Sequence, residues 1–326
     1  MRPIFTAACM FSLALAQSAA AEPSVKELAA RAEVRAIETL NVSDQQFLTG
    51  DKNGKPVAIA GELRLPQGAT GRLPAVILMH GSGGPGAREE LWAKIFNEMG
   101  IASFRIDSFS GRGLTSVSTN QALLGRFNMI LDAYRAHGAI SAHPRIDRGR
   151  IALMGFSRGG QTALYASLKR FQQAWDPEVA FAAYIPLYAS CNATLIGDTD
   201  VSAVPIRMFH GIADDYVPVA PCRAYVERLR GAGRDVRLTE FADAHHAYDN
   251  PLGSKTPTVS KGAQSVRACK LKEEPLGTII NAETGQPFTY KDPCVATDPH
   301  VGHNEAAMQA THAAVKEVFR GVFKLN

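Results

Sequence analysis

The chain has 326 residues, 46% of them hydrophobic and 20% charged, so it is long and apolar enough to bury a sizeable core. Its 35 basic and 31 acidic side chains leave a net charge of only +4, and no basic run is interleaved with aromatics. That balance gives no ground for a nucleic-acid partner.

Arg2 is the only charge before Glu22, Ile4 to Ala16 is a short apolar stretch, and Ala19-Ala20-Ala21 offers small residues for cleavage. This reads as a signal peptide over 1–21, too short in its apolar part to be a membrane span, and no later segment is apolar enough to cross a bilayer. The expected protein is secreted or periplasmic and occupies 22–326 as one domain. Cys9 leaves with the leader, and Cys191, Cys222, Cys269 and Cys294 remain. Four cysteines allow three pairings, and export favours disulfides over free thiols.

Glu22–Ala36 has helical spacing, and Ile37–Leu65 alternates apolar and polar residues around the turn signal Asp51-Lys-Asn-Gly54, which predicts antiparallel strands. Leu73–Met79 is a continuous apolar strand that ends in His80-Gly-Ser-Gly-Gly84. Glu89–Met99 reads as a helix, Ile101–Ile106 as a strand, Ala122–Ser141 as a helix and Arg150–Met154 as a buried strand. A helix over Gln161–Leu168 follows, then strands at Val179–Leu187 and Ile206–His210. Helix Pro221–Gly231, strand Asp235–Phe241 and helix Ala306–Phe323 complete the order. Strands alternating with helices predict an α/β fold, a mostly parallel, doubly wound sheet with helices on both faces, whose ligands lie at the carboxyl ends of the strands. Residues 249–304 break the pattern as a loop-rich insertion. Loops after neighbouring parallel strands reach one sheet edge, which brings Cys191 to Cys222 and leaves Cys269 for Cys294.

The segment Gly155-Phe-Ser-Arg-Gly-Gly160 sits between a predicted strand and a predicted helix. Gly-x-Ser-x-Gly in that context pushes the Ser157 hydroxyl out at the sheet edge, whereas an ordinary turn would use the serine only as a helix cap. A serine nucleophile needs a base and a carboxylate behind the base, in the chain order serine, acid, histidine. Asp214 and Asp215 follow one strand, and His245 and His246 follow the next. Asp214 and His246 are the favoured pair, but adjacent residues cannot be separated by spacing. The amide of Arg158 and an amide of the Gly81–Gly84 loop, Ser82 or else Gly83, are the candidate oxyanion donors. The Arg158 side chain has two readings, an anchor for an acidic substrate group or a salt bridge. Asp107 paired with Arg112 would brace the pocket wall, and His80 would fix its own loop. Pocket walls are expected from 108–120, 190–200 and 249–304. Cys269, Cys294, His300 and His303 could be read as zinc ligands, but their spacing is irregular, and His300 and His303 are better read as surface residues. No phosphate-binding loop is present in the required form, so no nucleotide cofactor is indicated.

Taken together, Gly-Phe-Ser-Arg-Gly-Gly160, His-Gly-Ile-Ala-Asp-Asp-Tyr-Val-Pro218 and His-His-Ala-Tyr-Asp-Asn-Pro251 resemble the dienelactone hydrolase family of the α/β-hydrolase superfamily. Asp107-Ser-Phe-Ser-Gly-Arg-Gly113 and Pro221-Cys222 resemble a secreted, serine-type branch of it. The likeness runs from about Val76 to Asn250. It implies Ser157 as nucleophile, Asp214 as acid and His246 as base, and the expected reaction uses no cofactor and no metal. The family's namesake enzymes use a cysteine nucleophile in a cytosolic protein. Serine and a leader here point to an ordinary small-molecule ester or lactone rather than a dienelactone. Two other classes share the pattern: a prolyl-oligopeptidase-like peptidase, weakened by the lack of an N-terminal propeller, and a non-catalytic binding module, weakened by the intact triad.

Overall fold

The computed structural model describes residues 32–325. The expected leader and the first part of the expected lead-in helix lie outside them. The remainder of that helix is instead strand β1 (Ala32–Asn41), paired antiparallel with β2 (Lys55–Arg64) along its whole length. Its pattern explains the difference: Ile37 and Thr39 are buried while Val34, Ala36 and Glu38 face out, a two-residue period. A short helix, α1 (Asp44–Thr49), interrupts the expected strand pair. Ser43 and Gln46 form a reciprocal capping box, and Gly50 closes the helix at φ 74°.

The remaining elements follow in βα alternation: β3 (Leu73–Met79), α2 (Ala87–Glu98), β4 (Ala102–Asp107), α3 (Asn128–Ser141), β5 (Ile146–Phe156), α4 (Arg158–Tyr165) and α5 (Lys169–Trp175). Then come β6 (Tyr184–Leu187), β7 (Ala193–Thr194), β8 (Ile206–Gly211), α6 (Ala220–Gly231) and β9 (Val236–Phe241). Two expected elements are shorter than their periodicity suggested. The strand at 179–187 begins only at Tyr184. The helix at 122–141 begins at Asn128, whose side-chain amide bridges the Val42 backbone, with Val42 N–H donating at 2.9 Å and Asn128 Nδ2 donating at 2.8 Å.

Eight strands form the main sheet in the order β1-β2-β4-β3-β5-β6-β8-β9, in which β2 alone runs antiparallel to its neighbours β1 and β4 and the pairs from β4 to β9 are all parallel. All seven residues of β3 are buried, as a strand covered on both faces requires. Ala75, Ile77 and Met79 pack with Met129 of α3 and Leu164 of α4. Val76 and Leu78 pack on the other face with Trp92 of α2 and Phe319 of the last helix.

The insertion is loop-rich but not structureless. Strand β10 (Thr258–Val259) pairs with β13 (His300–Val301). Strand β11 (Leu271–Glu274) pairs with β12 (Thr278–Asn281) and, in parallel, with β7. Disulfides join Cys191 to Cys222 and Cys269 to Cys294. Helix α7 (Glu305–Phe323), capped by Asn304, ends the described chain. Among the described residues no helix is long and apolar enough to cross a membrane.

Candidate active site

Ser157 stands between β5 and α4 at φ 56°, ψ −113°, a conformation that a side chain rarely adopts. The glycines around it are demanded by space. A Cβ at Gly155 would overlap the Gly159 carbonyl, one at Gly159 would overlap the Met79 carbonyl, and one at Gly160 would overlap the Leu187 carbonyl. The turn therefore packs backbone against backbone and tips the Ser157 hydroxyl outward.

Three of the candidate side chains meet there. His246 Nε2 lies 2.9 Å from Ser157 Oγ, and His246 Nδ1 lies 2.7 Å from Asp214 Oδ2. The other carboxylate oxygen, Asp214 Oδ1, accepts the amides of Tyr216 at 3.0 Å and Val217 at 2.8 Å. Both Asp214 and His246 are buried, and Tyr216 and Tyr188 press their rings against the imidazole at 4.6 and 4.9 Å. Burial alone would raise the Asp214 carboxyl. The His246 imidazole, joined by His210 at 3.5 Å, outweighs it and holds the group well below the usual carboxylate range.

Asp215 does not join this group. It accepts the His300 amide and the His300 Nδ1–H, both at 2.8 Å, and so ties the insertion to the loop that carries Asp214. His245 is likewise apart, its ring facing His300 at 6.4 Å. The backbone of His246 is itself held by the insertion, since Gly302 N–H donates to its carbonyl at 3.1 Å.

Arg158 is the first residue of α4, so its amide has no partner within the helix. Its side chain does not form the salt bridge that was one of the two readings made from sequence. The buried guanidinium donates to neutral oxygens: Gln121 Oε1 at 2.8 Å, Gly125 O at 3.0 Å and Leu124 O. Burial lowers its pKa. Ser82 lies on the loop after β3, beside Gly81, whose Cα hydrogen faces the Ser157 side chain. His80 holds that loop as a neutral ring, its Nδ1–H donating to Gly81 O at 2.7 Å and its Nε2 accepting the Ser108 amide at 3.1 Å.

The Asp107–Arg112 brace does not form. Asp107 caps its own turn by accepting the Phe109 and Ser110 amides, each at 2.9 Å, and Arg112 makes a bidentate pair with Asp132 at 2.8 Å. Nor do the residues of the zinc reading form a ligand set. Cys269 and Cys294 are bonded to each other, His300 is taken by Asp215, and His303 is buried against Glu305 rather than lying on the surface.

Two pockets open from Ser157. One is lined by Gln121, Arg126, Gln161, Val266 and Tyr290, the other by the 81–89 loop, Ser118, Ala247 and Val301. The insertion thus walls both. Sequence reading missed Gln121 and Tyr216. Tyr216 had a signal, its place in Asp-Asp-Tyr-Val-Pro beside the acid. Gln121 had none, because nothing in its local pattern separates it from an ordinary helix-start residue.

A family model described as phospholipase/carboxylesterase matches residues 102–252, a span that contains Ser157, Asp214 and His246. Among solved structures, the chain is similar to a dienelactone hydrolase-like promiscuous phosphotriesterase from metagenomic libraries, with 16% identity and a TM-score of 0.57 over 90% of this chain and 99% of the other. It is also similar to an α/β-hydrolase from a Medee basin deep-sea metagenome library, with 15% identity and a TM-score of 0.51 over 90% and 99%. A third is Thermogutta terrifontis esterase 2 phosphonylated by cyclosarin, with 19% identity and a TM-score of 0.51 over 68% and 86%. That sheet order and those likenesses show an α/β-hydrolase fold of the dienelactone hydrolase type, and the phospholipase/carboxylesterase match falls on the part of it that carries the serine turn.

Proposed function

We propose that this protein is an exported hydrolase that cleaves a small-molecule carboxylic ester or lactone through an acyl-enzyme. Ser157 Oγ attacks the carbonyl carbon while His246 Nε2 takes the hydroxyl proton. The same nitrogen then protonates the departing alkoxide. Water, deprotonated in turn by His246, attacks the acyl group and releases Ser157. Asp214 keeps the proton of the resting imidazole on Nδ1 and stabilises the cation that forms. The amides of Arg158 and Ser82 receive the developing oxyanion. These steps call on no cofactor.

The observation that carries this reading is the unbroken contact from Ser157 Oγ through His246 to Asp214, at 2.9 and 2.7 Å. Export is supported by the leader-like N-terminus and by the engagement of Cys191, Cys222, Cys269 and Cys294 in two disulfides. The test is hydrolysis of p-nitrophenyl acetate with Ser157→Ala, alongside labelling by a fluorophosphonate. The expected result is loss of turnover in a folded variant and a phosphonyl adduct on the wild-type peptide that contains Ser157. Substantial turnover by Ser157→Ala would refute the assignment.

A further inference from the structure

We infer that Gln121 is a positioning residue that fixes the two oxyanion amides relative to each other. The inference rests on the Ser157 reading above. The two donors come from separate segments: Ser82 from the loop after β3 and Arg158 from the start of α4. Two amides can stabilise one oxygen only if both are held to within a fraction of an ångström, so something must couple the segments.

The Gln121 side chain spans them. A guanidinium only donates, so the atom 2.8 Å from Arg158 Nη1 must be the amide oxygen, which fixes the orientation of the group. Nε2 then faces Ser82 Oγ and donates to it at 3.0 Å, while the Ser82 hydroxyl lies 3.1 Å from Oε1. One buried carboxamide therefore holds both donor residues by their side chains and leaves their N–H groups to the substrate. The same segment grips Ser82 a second time, since Val117 N–H and Ser116 Oγ donate to its carbonyl at 2.8 and 3.1 Å. Gln121 is anchored in turn by Gln264 of the insertion, which accepts its amide at 2.9 Å.

If Gln121 served only to satisfy a buried guanidinium, its loss would weaken folding or substrate binding without touching the chemical step selectively. A positioning role predicts a different signature. Gln121→Met keeps the length and removes the hydrogen bonds to Arg158 and Ser82. We expect kcat on p-nitrophenyl acetate to fall about tenfold to a hundredfold with KM within about threefold of wild type. Affinity for a trifluoromethyl ketone should fall in parallel, because that inhibitor forms the oxyanion. Ser82→Ala breaks the same link from its other end, keeps the Ser82 amide, and should show the same split. The double variant should lose little more than the worse single one. Titration with a fluorophosphonate counts competent active sites in each variant, and wild-type enzyme that fails to label would refute the Ser157 reading separately. Additive losses, a raised KM with unchanged kcat, or unchanged ketone affinity would overturn the positioning role. Should Gln121→Met not fold, Ser82→Ala alone decides through the same kcat and ketone measurements.

Discussion

The carbonyl of Leu187, the last residue of β6, accepts the amide of Ser157 at 3.0 Å, and the same carbonyl leaves no room for a Cβ at Gly160. One oxygen thus anchors the serine turn and requires the glycine that follows it. The β5–β6 ladder, from Leu153 opposite Tyr184 to Phe156 opposite Leu187, runs straight into this contact. The left-handed backbone of Ser157 is the consequence: the chain must leave the strand and enter α4 within one residue, and the sheet on either side does not yield.

That strain predicts a separation of stability from activity. Glycine adopts φ 56° without penalty, so Ser157→Gly should raise unfolding free energy by about 1 kcal/mol while abolishing ester turnover. Ser157→Ala keeps a Cβ and should be inactive without that gain. Urea unfolding of the three proteins checks it, and equal stability of the glycine and alanine variants would remove the strain argument.

Gly159 makes the complementary case. A Cβ there would overlap the Met79 and His80 carbonyls, at the end of the central strand β3 and just beyond it. Backbone cannot step aside as a side chain can, so Gly159→Ala should destabilise by about 3 kcal/mol or more, or fail to fold. Expression with a thermal melt measures this. A near-native melting temperature would mean that the turn tolerates more movement than its packing suggests.

The adjacent carboxylates should part sharply on substitution. Asp214→Asn leaves shape intact but removes the charge that sets the His246 tautomer, and kcat should fall by roughly four orders of magnitude. Asp215 is partly exposed and bonds His300, so Asp215→Asn should keep kcat within about tenfold. Steady-state kinetics on both variants decides between them. Comparable losses would mean that Asp215 matters to the site through the insertion.

The parts of this protein legible from sequence were those with short-range causes. Leu73–Met79 and Arg150–Met154 announced buried strands because burial on both faces demands an unbroken apolar run, and Gly155 to Gly160 announced the serine turn because only glycine fits there. What stayed hidden had long-range causes. Asp214 and Asp215 differ only in which partner the fold brings to them, His246 or His300. Arg112 met Asp132 rather than Asp107 because α3 lies beneath it. Ala32–Ala36 carries a pattern that suits helix and strand alike, and pairing with β2 selects the strand. The insertion lacked periodicity because its short strands pair with each other and with β7 over only two to four residues.

The Cys269–Cys294 disulfide lies in the segment that brings Val266 and Tyr290 to the pocket beside Ser157. Replacing both cysteines by serine should lower stability by about 2–4 kcal/mol, through the loop entropy regained on unfolding. A looser wall should also raise KM severalfold with a smaller change in kcat. Calorimetry with steady-state kinetics on the double variant tests both expectations. An unchanged KM would show that the wall holds without the bond.

Stability should fall as pH drops from neutral, and the sign follows from buried histidines. Burial lowers the pKa of His80, His137 and His312. In the unfolded chain a histidine takes up its proton near a pH of about 6.5. In the folded protein these three resist, His80 most plainly, because protonating its Nε2 would break the bond from the Ser108 amide. The unfolded state therefore binds more protons below about pH 6.5, and stability declines from there down to the lower folded values. Asp214 acts in a different window. Its depressed carboxyl contributes stability above the unfolded carboxylate range and loses it only as pH falls through the folded value, so it does not explain losses between pH 7 and 5. His312 allows a clean test, since its buried Nε2 has no partner among the described residues and its ring packs edge-on to Trp92 at 4.5 Å. Phenylalanine fills the same space without a proton site. His312→Phe should match or exceed the wild-type melting temperature at pH 7.5 and lose less of it on going to pH 5.5. Parallel melting curves for the two proteins across that range would assign the acid loss to the other histidines.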